Sequence, residues 1–140
     1  MEIEAYCDIA LLTQTIVATQ ENKMAAACGI FKLPIGPVFD GGIQSIEVII
    51  DGKPVAYAGE YILTAGRYPE ARLKTQRSYP TRITYTAGYG VNDTELPPDL
   101  SLAIADQAAQ LFDRRGAADG KQGLSLAASR ICARYRKVTV

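Results

Sequence analysis

A chain of 140 residues with 48% apolar residues, 21% charged residues and no formal net charge has the composition of one globular domain that buries a core without staples. Histidine and tryptophan are absent, which removes the commonest general base and the commonest metal ligand and with them any chemistry built on an imidazole. Cys7, Cys28 and Cys132 are far apart and odd in number, which argues against a disulfide framework or zinc site and for small core residues in a reducing compartment.

Taken in chain order, Ile3, Tyr6, Ile9 or Ala10 and Leu12 recur at helical intervals, so the spacing predicts a short helix over 1–12. The β-branched run from Thr13 to Gln20 reads as a strand, and a short apolar run from Cys28 to Leu33 follows. Pro34-Ile35-Gly36-Pro37 closes that run as a loop of fixed shape. Ile43 to Ile50 alternates and meets Asp51-Gly52, a strong type I′ hairpin signal, with a return strand from Lys53 to Tyr57. Tyr61 to Thr64 and Thr81 to Ala87 are further strands, the latter placing Ile83, Tyr85 and Ala87 on one face and Arg82, Thr84 and Thr86 on the other.

Pro97-Pro98-Asp99 then starts a helix, because proline is tolerated and acid is favoured in a first turn. Leu100, Ile104, Ala108, Leu111 and Phe112 are expected to share its buried face, with Arg114, Arg115 and Gly116 closing it. A loop over 116–123 leads to a second helix over 125–135, with Leu124, Ala128, Ile131 and Tyr135 as its apolar stripe, and the chain ends in a basic, β-branched tail. The expected architecture is α+β in one domain over 1–140: an N-terminal helix over 1–12, a region of antiparallel hairpins over 13–90, and a C-terminal helical pair over 97–137 that forms the body.

Several motifs imitate functional sites. Thr86-Ala87-Gly88-Tyr89-Gly90 is spelled like a potassium-channel filter, but no apolar run approaches the ~18 residues that a membrane span requires, so a strand end with a glycine turn is the better account. Gly116 to Gln122 hints at a phosphate loop, yet it is one residue short, lacks the magnesium-holding hydroxyl and follows a helix. Asp93, Glu95 and Asp99 cluster as an acid–base pair would, although acids at a helix start answer to the helix dipole. Acids also stand at the N-terminus where a signal peptide carries bases, so an intracellular, soluble product with no membrane partner is expected.

Charge is segregated despite the zero balance. Arg67, Arg72, Lys74, Arg77 and Arg82 face Glu70 alone between positions 67 and 82, with Tyr68 and Tyr79 interleaved, and a second basic segment ends in Arg136 and Lys137. Arginines among tyrosines suit a phosphate backbone or a stacked base, so a small nucleic-acid-binding module using the 67–82 segment is one reading. Pairing with acids of a neighbouring subunit is the other. These seven basic residues are the candidate interface or DNA-facing set.

The succession of pieces resembles the phage head-tail connector family, the small adaptors beneath the portal. Glu4-x-Tyr6 with Leu11-Leu12-Thr13-Gln14-Thr15 looks like that family's helix-to-strand entry, and Leu33-Pro34-x-x-Pro37 with Ile43-Gln44-Ser45-Ile46 like its proline loop and next strand. Tyr61 stands where a tyrosine usually precedes the following strand. Most specific are Arg82 to Gly90, Leu96-Pro97-Pro98-Asp99-Leu100 with Ala103-Ile104, and Leu111 to Arg115; Leu124-x-Leu126 and Tyr135-Arg136 resemble the C-terminal helix. Family members often carry another helical stretch ahead of the segment that starts here at Met1.

The resemblance implies a structural subunit with no enzymatic activity and no cofactor or metal, commonly in a ring of about twelve copies. Its implied partners are further copies of itself, the portal protein on one side, a stopper or tail-completion protein on the other, and the genomic double-stranded DNA in the lumen. The implied location is the virion neck, and the bacterial host cytoplasm during assembly.

Overall fold

The structure, a computed structural model, describes residues 2–21, 29–74, 79–115 and 123–136. Among the described residues, three α-helices and seven strands in two antiparallel sheets make an α+β fold. The elements are α1 (Glu2–Cys7), β1 (Gln14–Gln20), β2 (Ile30–Lys32), β3 (Ile43–Ile50), β4 (Lys53–Ala56), β5 (Tyr61–Thr64), β6 (Glu70–Leu73), β7 (Thr81–Ala87), a 3₁₀ turn (Asp93–Glu95), α2 (Pro98–Asp113) and α3 (Leu126–Ala133).

β7 lies at the centre of the larger sheet, whose order is β1-β7-β3-β4. Its alternation is as expected: Thr81, Ile83, Tyr85 and Ala87 are buried, while Arg82, Thr84 and Thr86 face outward. The register sets Tyr85 between Ile16 and Ile43 and Ile83 between Ala18 and Ile46, so each inward row is apolar across three strands. Asp51 and Gly52 both have positive φ, 51° and 76°, the geometry of the type I′ turn joining β3 to β4.

The smaller sheet has the order β2-β6-β5, and it packs Phe31, Ala71 and Leu73 against the inner face of the larger sheet in one hydrophobic cluster. Its central strand β6 was not among the expected elements. Glu70-Ala71-Arg72-Leu73 consists of good helix formers over a stretch too short to show a period, and pairing on both edges overrides that propensity.

The N-terminal helix ends at Cys7, five residues short of the expected boundary, because Asp8 turns into the left-handed region (φ 54°). An aspartate tolerates that conformation better than most residues. Ile9, Ala10 and Leu11 are therefore all buried as extended chain. Ala10 N–H donates to the Gly36 carbonyl at 2.8 Å, and the Glu4 carboxylate accepts from Leu11 N–H at 3.1 Å.

α2 begins at Pro98 as expected, but its buried face is Leu100, Ala103 and Gln107, with Ile104 packed alongside. Ala108, Leu111 and Phe112, expected on that face, are exposed. Gln107 accepts from Ser125 N–H at 2.7 Å and donates to the Gly123 carbonyl at 3.3 Å, holding the entry to α3. Ser125 caps α3 by accepting from Ala128 N–H at 3.0 Å. α3 buries Ala128 and Cys132, and Leu124, Ile131 and Tyr135 pack beside them.

Cys7 and Cys132 are buried free thiols in the helical cluster, where the Cys7 thiol donates to the Cys132 carbonyl at 3.6 Å. Cys28 lies outside the described residues. Burial first, and then the neighbouring Cys132, push the Cys7 thiol from 9.0 up to about 12. Burial also raises the Tyr85, Tyr89 and Tyr135 phenols above their ordinary value.

An unfolded chain ionises these groups first and so binds fewer protons than the native chain above pH 9, and stability must fall as pH rises. Urea midpoints are expected to hold up to about pH 8 and to drop progressively between pH 9 and about 12. A midpoint that rises across that window would contradict the burial of the thiol.

Candidate functional site

Of the seven basic residues singled out from the sequence, the five that are described do not form one strip. Arg67 is half-buried in the turn between β5 and β6, where its guanidinium donates to the Arg134 carbonyl at the end of α3. It stacks over the Tyr135 ring at 4.4 Å and lies 5.6 Å from the Tyr68 ring. Arg136 lies over the Tyr6 ring at 5.3 Å, and its carbonyl accepts from the Tyr68 hydroxyl at 3.3 Å. Arg67 and Arg136 are thus brought together, in a seam that ties the small sheet to the helical pair.

Lys74 pairs with Glu60 on the surface. Arg82 reaches Glu47 on the neighbouring strand at 3.6 Å, both half-exposed. Arg72 projects outward from the middle of β6 with no partner among the described residues. Arg77 and Lys137 lie outside the described residues. The basic run is accordingly divided between two sheets and a helix end, and most of its described charges are engaged within the chain.

The acidic cluster is likewise divided. The Glu95 carboxylate accepts from Val91 N–H at 2.7 Å and Asn92 N–H at 3.0 Å, closing the turn ahead of α2. Asp99 accepts from the Tyr135 hydroxyl at 2.6 Å and from Leu100 N–H at 3.0 Å, linking the start of α2 to the end of α3. Asp93 stands exposed at the start of the 3₁₀ turn that Glu95 ends. Two of the three acids therefore hold backbone and helix ends. The Gly116 to Gln122 motif lies outside the described residues.

What the sequence pattern missed is apolar surface. On α2 the side away from the core carries Leu102 (62% exposed) and Phe112 (64% exposed), separated by exposed Ala105 and Ala109. Arg115 lies over the Phe112 ring at 5.0 Å. The intervals of three and four residues place these side chains on one stripe, and α2 itself bears Asp99, Asp106 and Asp113 with no lysine or arginine.

A second patch lies on the outward face of the small sheet. Register pairs Ile30 with Arg72 and Arg72 with Ile62, so an exposed cation stands between two exposed isoleucines, 37% and 53% accessible. Contiguous apolar surface with an interspersed charge is the composition of a protein contact. The signal was legible in principle: α2 has apolar or small residues on both sides, which is more than one core-facing stripe requires.

A cleft of about 350 Å³ between Ala18, Phe31, Leu33 and Ile83 is rimmed by Thr19, Gln20 and Lys32. Among the described residues, no group of three or more acids and cysteines is placed to hold a metal ion, and no helix is long and apolar enough to cross a membrane.

No protein-family model matches the sequence, and no curated protein does. Solved structures match over 99% of the chain. A chain from the virion of a native gene transfer agent particle superposes with a TM-score of 0.79 at 22% identity, over 72% of its own length. A chain from the neck of an empty particle, computed with C6 symmetry, gives 0.78 at 22% identity over 73% of its length. One from the neck of a native particle, computed with C12 symmetry, gives 0.75 at 24% identity over 77% of its length. The chain shares their fold, in agreement with the connector-like order of elements read from its sequence.

Proposed function

We propose that this chain is a structural adaptor subunit in the neck of a tailed phage, prophage or phage-like particle, and that it acts as a ring beneath the portal. The observation that carries the reading is the likeness, across essentially its whole length, to chains from gene transfer agent necks. Rotational symmetry of the kind described for those necks requires a heterologous contact that closes on itself. The exposed stripe on α2 and the isoleucine row of the small sheet are surface of the kind such contacts bury.

The partners on this reading are further copies of the chain around the ring, the portal protein above and a stopper or tail-completion protein below. Genomic double-stranded DNA passes through the lumen. The protein is made in the bacterial cytoplasm and ends in the virion neck. Its work is done by burying surface between subunits, with no bond made or broken at a side chain and no cofactor. The division of the basic run among separate elements favours this over a nucleic-acid-binding module centred on positions 67–82.

Removing the gene is expected to leave filled heads that do not join tails, with joining restored by a plasmid copy. Electron microscopy of particles carrying a tagged chain should place the tag at the neck. Infectious tailed particles without the gene, or a tag in the shell or at the tail tip, would end the proposal.

A further inference from the structure

Resting on the neck reading for its timing, we infer that Cys7 and Cys132 are a latent disulfide pair, open while the chain is in the reducing cytoplasm and closed after the particle leaves the cell. Both thiols are free and buried, 1% and 0% exposed, in the same helical cluster. The Cys7 sulfur lies 3.6 Å from the Cys132 carbonyl oxygen, an atom three bonds from the Cys132 Cβ. The Cys132 side chain is itself a hydrogen-bond neighbour of the Cys7 thiol. A disulfide sets its two Cβ atoms about 3.5–4.5 Å apart. Closure therefore asks for side-chain rotation and a slight approach of α1 to α3, with no change of topology.

The place of the pair gives the bond its effect. α1 is six residues long and is ended by the turn at Asp8, so its hold on the rest of the chain comes from Ile3, Cys7 and the extended residues that follow. The two cysteines are 125 positions apart in sequence. A bond between them constrains nearly the whole unfolded chain and fastens the shortest of the three helices to α3.

The oxidant is a low-molecular-weight disulfide, for which oxidised glutathione is the probe. Cys7 loses its proton, and its thiolate attacks one glutathione sulfur, expelling a glutathione thiolate and leaving a mixed disulfide. The Cys132 thiolate then attacks the Cys7 sulfur and expels the second glutathione. Two protons and two electrons pass from the protein thiols to the two glutathiones, and one disulfide replaces another. Burial holds the Cys7 thiol up at about 12 and so keeps it protonated in the closed fold. Exchange runs through openings of α1 and is slow, as a bond that stays open through assembly requires.

The test needs no substitution. The purified chain is held with oxidised glutathione in mildly alkaline buffer, then denatured, alkylated and digested, and its peptides are mapped by mass spectrometry. A peptide linking Cys7 to Cys132 is expected, lost on reduction with dithiothreitol, and the oxidised chain should unfold at higher urea than the reduced one. Free thiols at both positions, a glutathione adduct that goes no further, linkage of either to Cys28, or a linked chain that unfolds at lower urea would each overturn the inference.

The same mapping, on cells lysed directly into the alkylating reagent and on particles collected from the medium, tests the timing. Linkage in particles and free thiols in cells are expected. Free thiols in a chain present in particles, or linkage already complete in cells, would overturn the inference and leave the neck reading intact. A chain absent from particles would remove the neck reading and this timing together.

Discussion

Gly88→Ala is expected to cost several kcal/mol of folding stability, whereas Gly52→Ala should cost only about 1–2 kcal/mol. Both glycines have positive φ, but 76° at Gly52 is near the left-handed well that an alanine enters at modest cost, whereas 134° at Gly88 is outside it. Their surroundings differ as well. A Cβ at Gly52 meets nothing within 4 Å, whereas one at Gly88 falls 2.5 Å from the Leu12 carbonyl carbon and 2.6 Å from Thr13 N.

Those atoms are backbone and are pinned themselves. Gly88 N–H donates to the Pro37 carbonyl at 2.9 Å, Tyr89 N–H to Leu11 at 3.2 Å, and Thr13 N–H to Gly90 at 2.8 Å. Relief therefore requires breaking the seam between the β7 end and the 9–13 segment, at several kcal/mol out of a total of about 5–15. Urea denaturation followed by circular dichroism compares the two variants directly. Equal costs at both positions would show that the close approach at Gly88 is wrong.

Tyr85→Ala is expected to be the other severe change, at about 3–5 kcal/mol for the lost ring and its cavity. Tyr85 is fully buried on the central strand, and its hydroxyl both accepts from Ile35 N–H at 3.2 Å and donates to the Ile35 carbonyl at 3.1 Å. One phenol thus fills the space between the sheets and fastens the proline loop. Tyr85→Phe separates the two roles. It keeps the ring and leaves two backbone groups of Ile35 unpaired, for about 1–3 kcal/mol.

Hydrogen exchange gives the sharper reading of that pair. In the Phe variant the Ile35 amide should exchange faster while the amides of β7 keep the protection set by global stability. If Ile35 exchange does not change, the hydroxyl is not what holds the loop.

Both predictions concern the same architectural fact. The chain has two hydrophobic clusters, one between the sheets and one among the helices, and the segments 9–13 and 88–90 run between them as paired backbone. The Arg67 seam adds side-chain contacts between a sheet turn and the end of α3. These two links hold α2 in place relative to the small sheet.

By itself the sequence determined those features whose cause is local. The alternation of β7, the Asp51-Gly52 turn and the proline start of α2 each follow from a few neighbouring residues, and each is found where the pattern put it.

Only the tertiary structure decided what depended on a distant partner. β6 is a strand because β2 and β5 flank it, against its own propensity. The first helix stops at Asp8 because Ile9 to Leu11 bury better as extended chain against Gly36 and Tyr89. Arg67 reads as a solvated cation in the chain and proves to be a structural clamp, since its acceptor lies 67 residues away. Phe112 reads as core and lies outside, because α2 has apolar residues on two sides and only packing against α3 chooses which side is covered.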